Sequence, residues 1–338
     1  MSNRFLASFC AAAAATVAFA FIASAPAAAQ TTGSTALFAK EGAKTWTPPR
    51  TPDGVPDLQG VYTNSTQVPL ERPKNVGAKE FYTREEAEAL MKKAAETHEV
   101  VAPGTYGDVH YSMAQFGLEK GQSAIAESLR TSLIIGTTGR VPDLLPEART
   151  RQAARAAANK GHEFDGPENR GLAERCIIWG AEGPPMLPIG YNSNLQIVQG
   201  KGYVAIMQEM IHDVRIIPTD GRTHVASSVH ELLGDAVGHW EGDTLVVDTT
   251  NFTDRTAFRG SGEDLHVVER FTKVDPNTVR YQFTVEAPHT WAEPWSAEIP
   301  MTKIDGPIFE YACHEGNYGM PNNLSGARAE EKKLAEKK

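Results

Sequence analysis

Seven of the ten histidines fall between positions 212 and 314: His212, His224, His230, His239, His266, His289 and His314. Several stand beside carboxylates and arginines. Ile211-His-Asp-Val-Arg-Ile216 sets His212, Asp213 and Arg215 on or near one strand. Leu265-His-Val-Val-Glu-Arg270 offers His266, Glu269 and Arg270, and Tyr311-Ala-Cys-His-Glu315 carries His314 and Glu315. If three such strands meet at one mouth of an antiparallel barrel, His212, His266 and His314 make an open-faced site for a divalent metal, zinc or iron, with carboxylates as further ligand or base. Without metal the same groups can do general acid–base work, because histidine titrates near neutrality. Arg215 or Arg270 can then hold a carboxylate or a developing oxyanion. This reading is a hydrolase or lyase acting on a small organic molecule. Alternation along a strand puts His212 opposite Asp213 and His266 opposite Glu269, so not all of these groups can point inward. The competing reading keeps the histidines as hydrogen-bonded frame groups and Asp213–Arg215 as an ion pair. It leaves a non-catalytic carrier of an apolar or aromatic ligand.

Other devices are missing. There is no Gly-x-Ser-x-Gly elbow, no phosphate-loop Gly-Lys-Ser/Thr and no glycine fingerprint for a dinucleotide. His230-Glu231-Leu-Leu-Gly234 starts like a zinc helix but has Gly where the second histidine is required. A second feature is the Gly/Pro-rich stretch from Trp179 to Asn194, which cannot be regular structure yet carries Trp179, Met186, Leu187 and Tyr191. Such a loop either walls a pocket or plugs the open end of a core. Trp179, Tyr191, Asn194 and Trp240 are the candidate substrate contacts, with Trp240, Trp291 and Trp295 equally suited to a core or rim.

These groups need a frame, and the pattern supplies one that is mainly β. In Val279–Glu286 the residues Val279, Tyr281, Phe283 and Val285 share one face while Arg280, Gln282, Thr284 and Glu286 share the other, the period of a half-buried strand. Asp275-Pro-Asn-Thr278 joins it to His266–Val274, and Glu-Gly-Asp243 breaks His239–Thr250 into a hairpin. Leu58–Thr63, Asn194–Gln199, Tyr203–Gln208, Ile211–Ile217, Ala297–Lys303 and Pro307–Cys313 read as further strands, the last two paired around Asp305-Gly306. Leu133-Ile-Ile135 is also β-prone. Six to nine antiparallel strands imply a lipocalin-like barrel, with a sandwich or a propeller as alternatives; no blade-length repeat is present. Helical insertions are expected at about 83–96, opened by a Thr83/Glu86 capping box, and at about 145–160, stopped by Gly161. Residues 31–57 form a small-polar then Pro-rich extended arm, 58–324 one β-rich domain, and 325–338 a charged tail.

The chain has 338 residues, and 33 Lys+Arg against 42 Asp+Glu give a net charge of −9. That balance disfavours nucleic acid as a partner, since phosphate binding needs a cationic surface. Met1–Gln30 has the n-region, apolar h-region and Ala-x-Ala ending of a secretory signal; a retained membrane anchor is the competing reading. Losing Arg4 and no acidic residue takes −9 to −10, and no later stretch is apolar enough to span a bilayer. The expected location is periplasmic or secreted, with a small-molecule partner; nothing in the pattern speaks to oligomeric state. Removal of Cys10 leaves Cys176 and Cys313, which in an oxidising compartment form one bridge or remain two buried thiols.

Four stretches together resemble an uncharacterised family of exported bacterial proteins. They are Trp46-Thr-Pro-Pro-Arg-Thr-Pro-Asp-Gly with Pro56-Asp-Leu-Gln-Gly60, Ile211-His-Asp-Val-Arg-Ile-Ile217, Trp240–Phe252 and Ala312-Cys-His-Glu-Gly-Asn-Tyr318. The resemblance implies one integrated unit and assigns no catalytic residue. Separately, Gly60-Val-Tyr62 is similar to the Gly-x-Trp opening strand of lipocalin-like barrels, with Tyr in place of Trp.

Overall fold

The computed structural model describes residues 46–97 and 128–337, apart from residues 67, 137, 181, 190, 191, 256 and 257. The signal segment, Cys10, residues 31–45 of the arm and Tyr191 lie outside the described residues. The strands are β1 (Gly60–Thr63), β2 (Asn194–Gly200), β3 (Tyr203–Gln208), β4 (Val214–Pro218), β5 (Asp235–Glu241), β6 (Thr244–Thr250), β7 (His266–Asp275), β8 (Thr278–Glu286) and β9 (Trp295–Lys303). All pair antiparallel in the order β4-β3-β2-β1-β9-β8-β7-β6-β5, and the sheet curls into a nearly closed barrel. Among the described residues three α-helices join it: α1 (Arg84–Thr97), α2 (Pro146–Asn159) and α3 (Gly319–Glu336). The protein is therefore mainly β with a few helices, and the barrel stands over the sandwich and the propeller.

The alternating segments become the strands because their apolar faces fill one interior. Along β8, Val279, Tyr281, Phe283 and Val285 are buried while the residues between them are half-exposed. Val267 and Phe271 on β7 face Val285 and Tyr281, and Asn277 closes the hairpin by donating its N–H to Asp275 Oδ1 at 2.8 Å. Rings then pack in sequence across the interior: Phe271 on Tyr281 at 4.9 Å, Tyr281 on Phe283 at 5.6 Å, and Phe283 edge-to-face on Trp295 at 5.7 Å. Trimming one such ring to Ala typically costs about 3–5 kcal/mol. The α1 capping box forms as expected, with Thr83 N–H on Glu86 Oε2 at 2.7 Å and Glu86 N–H on Thr83 Oγ1 at 3.2 Å. Pro146 opens α2, and Gly161 follows its end in the left-handed conformation at φ 82°.

Two expected strands are corrected. Pro307–Cys313 is not a strand, because β9 has no edge left for it. β8 occupies one side; β1 and residues 133–135 occupy the other, with Ile134 bridging Ala297 and Ile135 N–H bonding Ser296 O at 2.9 Å. The strand expected from Ile211 begins only at Val214. Ile211 and His212 instead form a tight turn at φ 60° and 52°, which reverses the chain between β3 and β4.

The ends of the sheet, β4 and β5, lie side by side without a hydrogen-bonded ladder in the sheet order. Gly238 on β5 permits this approach: a Cβ there would sit 2.9 Å from Ile217 Cγ2 on β4. Gly238→Val is expected to lower stability by about 1–3 kcal/mol through this clash. The urea midpoint at unchanged slope measures it; a variant as stable as the parent means that the two strands do not require the contact.

Candidate functional site

The upper mouth of the barrel is the end where β2, β5, β7 and β9 begin, and the functional candidates gather around it. Inside, Arg215 on β4 reaches Glu269 on β7 in a bidentate pair, Nη1 to Oε1 at 3.0 Å and Nη2 to Oε2. Tyr281 on β8 donates its hydroxyl to Glu269 Oε1 at 2.8 Å and accepts the Met186 N–H at 2.9 Å. Arg215 is 6% exposed, and Glu269 and Tyr281 are fully buried. Burial, reinforced by the Glu269 charge, pushes the Tyr281 hydroxyl well above its ordinary range. These charges, which the sequence offered as catalytic groups, are paired with each other and shielded from water. Such a pair contributes little net energy, yet losing one partner strands a buried charge at about 3–5 kcal/mol.

The Gly/Pro-rich loop caps this interior. Met186 is fully buried in the barrel core, with Leu187 packed against it, while Trp179, Gly183, Pro184 and Pro185 remain at the mouth. The loop is thus both plug and wall. Between them Glu182 is fully buried, accepts the Trp179 N–H at 2.8 Å on Oε2, and has no hydrogen-bond partner for Oε1 among the described residues. Burial, with a contribution from the Asp213 charge, pushes its carboxyl up to about 7.

Beside the loop lies a cleft of about 300 Å3. Its walls include Trp179, Pro184, Leu232, Leu233, Phe252 and Leu265, and its charged lining residue is Arg255. Residues 219–234 supply Leu232 and Leu233, and their His224 joins a run of alternating acids and histidines on the outer face of the barrel. His224 Nδ1 lies 2.7 Å from Asp235 Oδ2 and Nε2 3.0 Å from Asp248 Oδ1; His266 Nε2 lies 3.0 Å from Asp248 Oδ2 and Nδ1 3.3 Å from Glu286 Oε2. The hydrogen bond to Asp248 holds the His266 ring above its ordinary range, against the opposing effect of burial. Burial opposes ionisation of Asp248, but the bonds from His266 and His224 outweigh it and hold that carboxyl below the usual range.

The remaining predicted residues are dispersed. His212 is exposed on its turn with Nδ1 3.1 Å from Tyr311 O, and the Asp213 carboxylate accepts the Val214 N–H at 2.8 Å. His314 and Glu315 are exposed beyond the Cys176–Cys313 disulfide. That bridge, with Cα atoms 5.8 Å apart, packs against Met210 and Ile211 and so backs the turn that carries His212. Among the described residues, no group of three or more His, Cys, Asp or Glu is placed to hold a metal ion. His212, His266 and His314 therefore do not assemble into the metal site that their spacing suggested. Of the expected substrate contacts, Trp179 lines the cleft. Asn194 donates to the buried Glu209 at 3.0 Å, and Trp240 packs against the core.

Glu182, Asp248 and Arg255 were not singled out by sequence reading. A carboxylate inside an otherwise uncharged Gly/Pro stretch was the available signal for Glu182. No protein-family model matches the chain, and no curated protein matches it. The likeness to lipocalin-like proteins extends to the nearly closed antiparallel barrel and no further.

Two predictions follow from the buried charges. Glu269→Ala should cost about 3–5 kcal/mol, and Arg215→Met with Glu269→Leu should recover most of it; urea unfolding of the single and double variants checks this, and equal losses in both would mean that the charges are needed for more than their own neutralisation. For Glu182 the folded-state value lies above the ordinary 4.5. The ionisation-dependent part of its burial cost is absent below pH 4.5, and stability falls as pH rises toward 7, because the unfolded chain ionises first. Glu182→Gln should thus be the more stable form at pH 8, by on the order of 2 kcal/mol, with the difference vanishing near pH 4. Parallel melting curves across pH measure it, and a pH-independent difference would be incompatible with this titration.

Proposed function

We propose that the protein is exported and binds a small, largely apolar organic molecule in the cleft at the upper mouth, as a carrier rather than a hydrolase or lyase. The observation that carries this reading is the cleft itself, with Trp179, Leu232, Leu233, Phe252 and Leu265 in its walls. Ligand sites of this size are mostly apolar, with a few polar groups to set orientation. The chemistry-bearing groups support carriage by where they are not. Arg215 and Glu269 neutralise each other inside the barrel, while His266 and His224 bind carboxylates on its outer face. Export to the periplasm or beyond is supported by the signal-like Met1–Gln30 and by the Cys176–Cys313 bridge.

The test uses N-phenylnaphthylamine, an uncharged fluorophore that brightens in apolar surroundings. Saturable binding is expected, weakened at least about tenfold by Leu233→Trp, which fills the cleft while leaving the barrel core untouched. Thermal melting shows whether the variant remains folded. Undiminished binding in a folded Leu233→Trp variant would place the ligand elsewhere, and absence of saturable binding to the parent would remove the carrier reading.

A further inference from the structure

We infer that the ligand is an organic anion, an aliphatic or aromatic monocarboxylate whose charged end pairs with Arg255 while its apolar body lies along the cleft. This inference rests on the carrier reading. Arg255 lines the cleft, and no carboxylate of the described residues pairs with it. Its neighbours are differently placed. Asp254, the acid adjacent in sequence, is taken by Arg155 of α2 at 3.3 Å, and Arg259 pairs with Glu71 at 3.2 Å.

The loop carrying Arg255 is also held on both flanks by one helix. Arg155 grips Asp254 on one side. On the other, Gln152 donates to Arg259 O at 3.3 Å and Arg151 to Gly260 O at 3.1 Å. The Arg- and Ala-rich helix α2 thus holds both flanks of the loop and engages Asp254, the acid next to Arg255 in sequence. Arg255 is exposed where it lines the cleft, and its guanidinium presents paired N–H donors that match a carboxylate, an attraction that salt screens. In a chain of net charge −9, general electrostatic attraction cannot concentrate anions, so a local cation must select them.

The experiment measures octanoate and octanol, which differ in the charged end, by displacement of N-phenylnaphthylamine at pH 8 in low and high salt. Octanoate is expected to bind about tenfold tighter than octanol. That preference should shrink in high salt and disappear in Arg255→Gln, with octanol binding unchanged. Equal binding of the two compounds to the parent protein, or a preference that survives in Arg255→Gln, would overturn the anion inference while leaving the carrier reading intact. Displacement by neither compound, although the fluorophore itself binds, would overturn the anion inference for ligands of this length. Failure of the fluorophore to bind at all would take the carrier reading with it.

Discussion

The pair between Arg215 and Glu269 ties together what the backbone leaves apart. β4 and β5 end the sheet without a ladder between them, so the two sides of the barrel meet there through side chains. Arg215 extends from β4 to a carboxylate on β7, and Tyr281 on β8 completes that carboxylate's hydrogen bonding. An ion pair in the interior demands full satisfaction, because any lone pair or N–H left over is costly to desolvate. Here the demand extends outward. Tyr281 uses its remaining capacity on the Met186 N–H, which sets how deeply the Gly/Pro-rich loop enters the barrel. The position of Trp179, Pro184 and Pro185 at the mouth follows from that anchoring.

The cleft is therefore built from parts with different supports. One wall hangs from the buried charge pair through Met186. Another, Leu232 and Leu233, belongs to a connection held on the outer surface where His224 meets Asp235 and Asp248 and where His230 meets Phe252 O. The first support is shielded from water. The second is half-exposed, and its Asp248 also holds the His266 ring above its ordinary range.

Much of the frame was legible in the sequence because it depends on local period. Val279–Val285 alternates so regularly that only a half-buried strand accommodates it, and Thr83 with Glu86 announces a helix start. The pairing of Cys176 with Cys313 was legible from compartment and count, since two cysteines allow a single bridge. What could not be read was set by partners far along the chain. Arg215 and Glu269 stand 54 residues apart, and nothing local separates a charge buried for pairing from one kept for catalysis. Pro307–Cys313 has strand-like composition, but whether β9 offered it an edge depended on β1 and on residues 133–135. The turn at Ile211 and His212 also ran against local preference, because a β-branched residue rarely adopts a left-handed backbone. The cleft was half legible: the irregular loop with its tryptophan was apparent, whereas the loop carrying Arg255 is flanked by contacts to the distant helix α2.

The break in the ring of strands has a consequence for how the molecule is joined. β2 to β4 and β5 to β9 are each continuous meanders, and residues 219–234 lead from one to the other across the place where the ladder is interrupted. The ladders that unite the halves run instead from β1 to β2 on one side and from β1 to β9 on the other. Cutting the chain at the exposed Asp220-Gly-Arg222 turn would consequently sever no strand pairing. The first strand, short as it is, is the staple between the halves: its full length pairs with β2, and Tyr62 and Thr63 reach across to the last strand, β9.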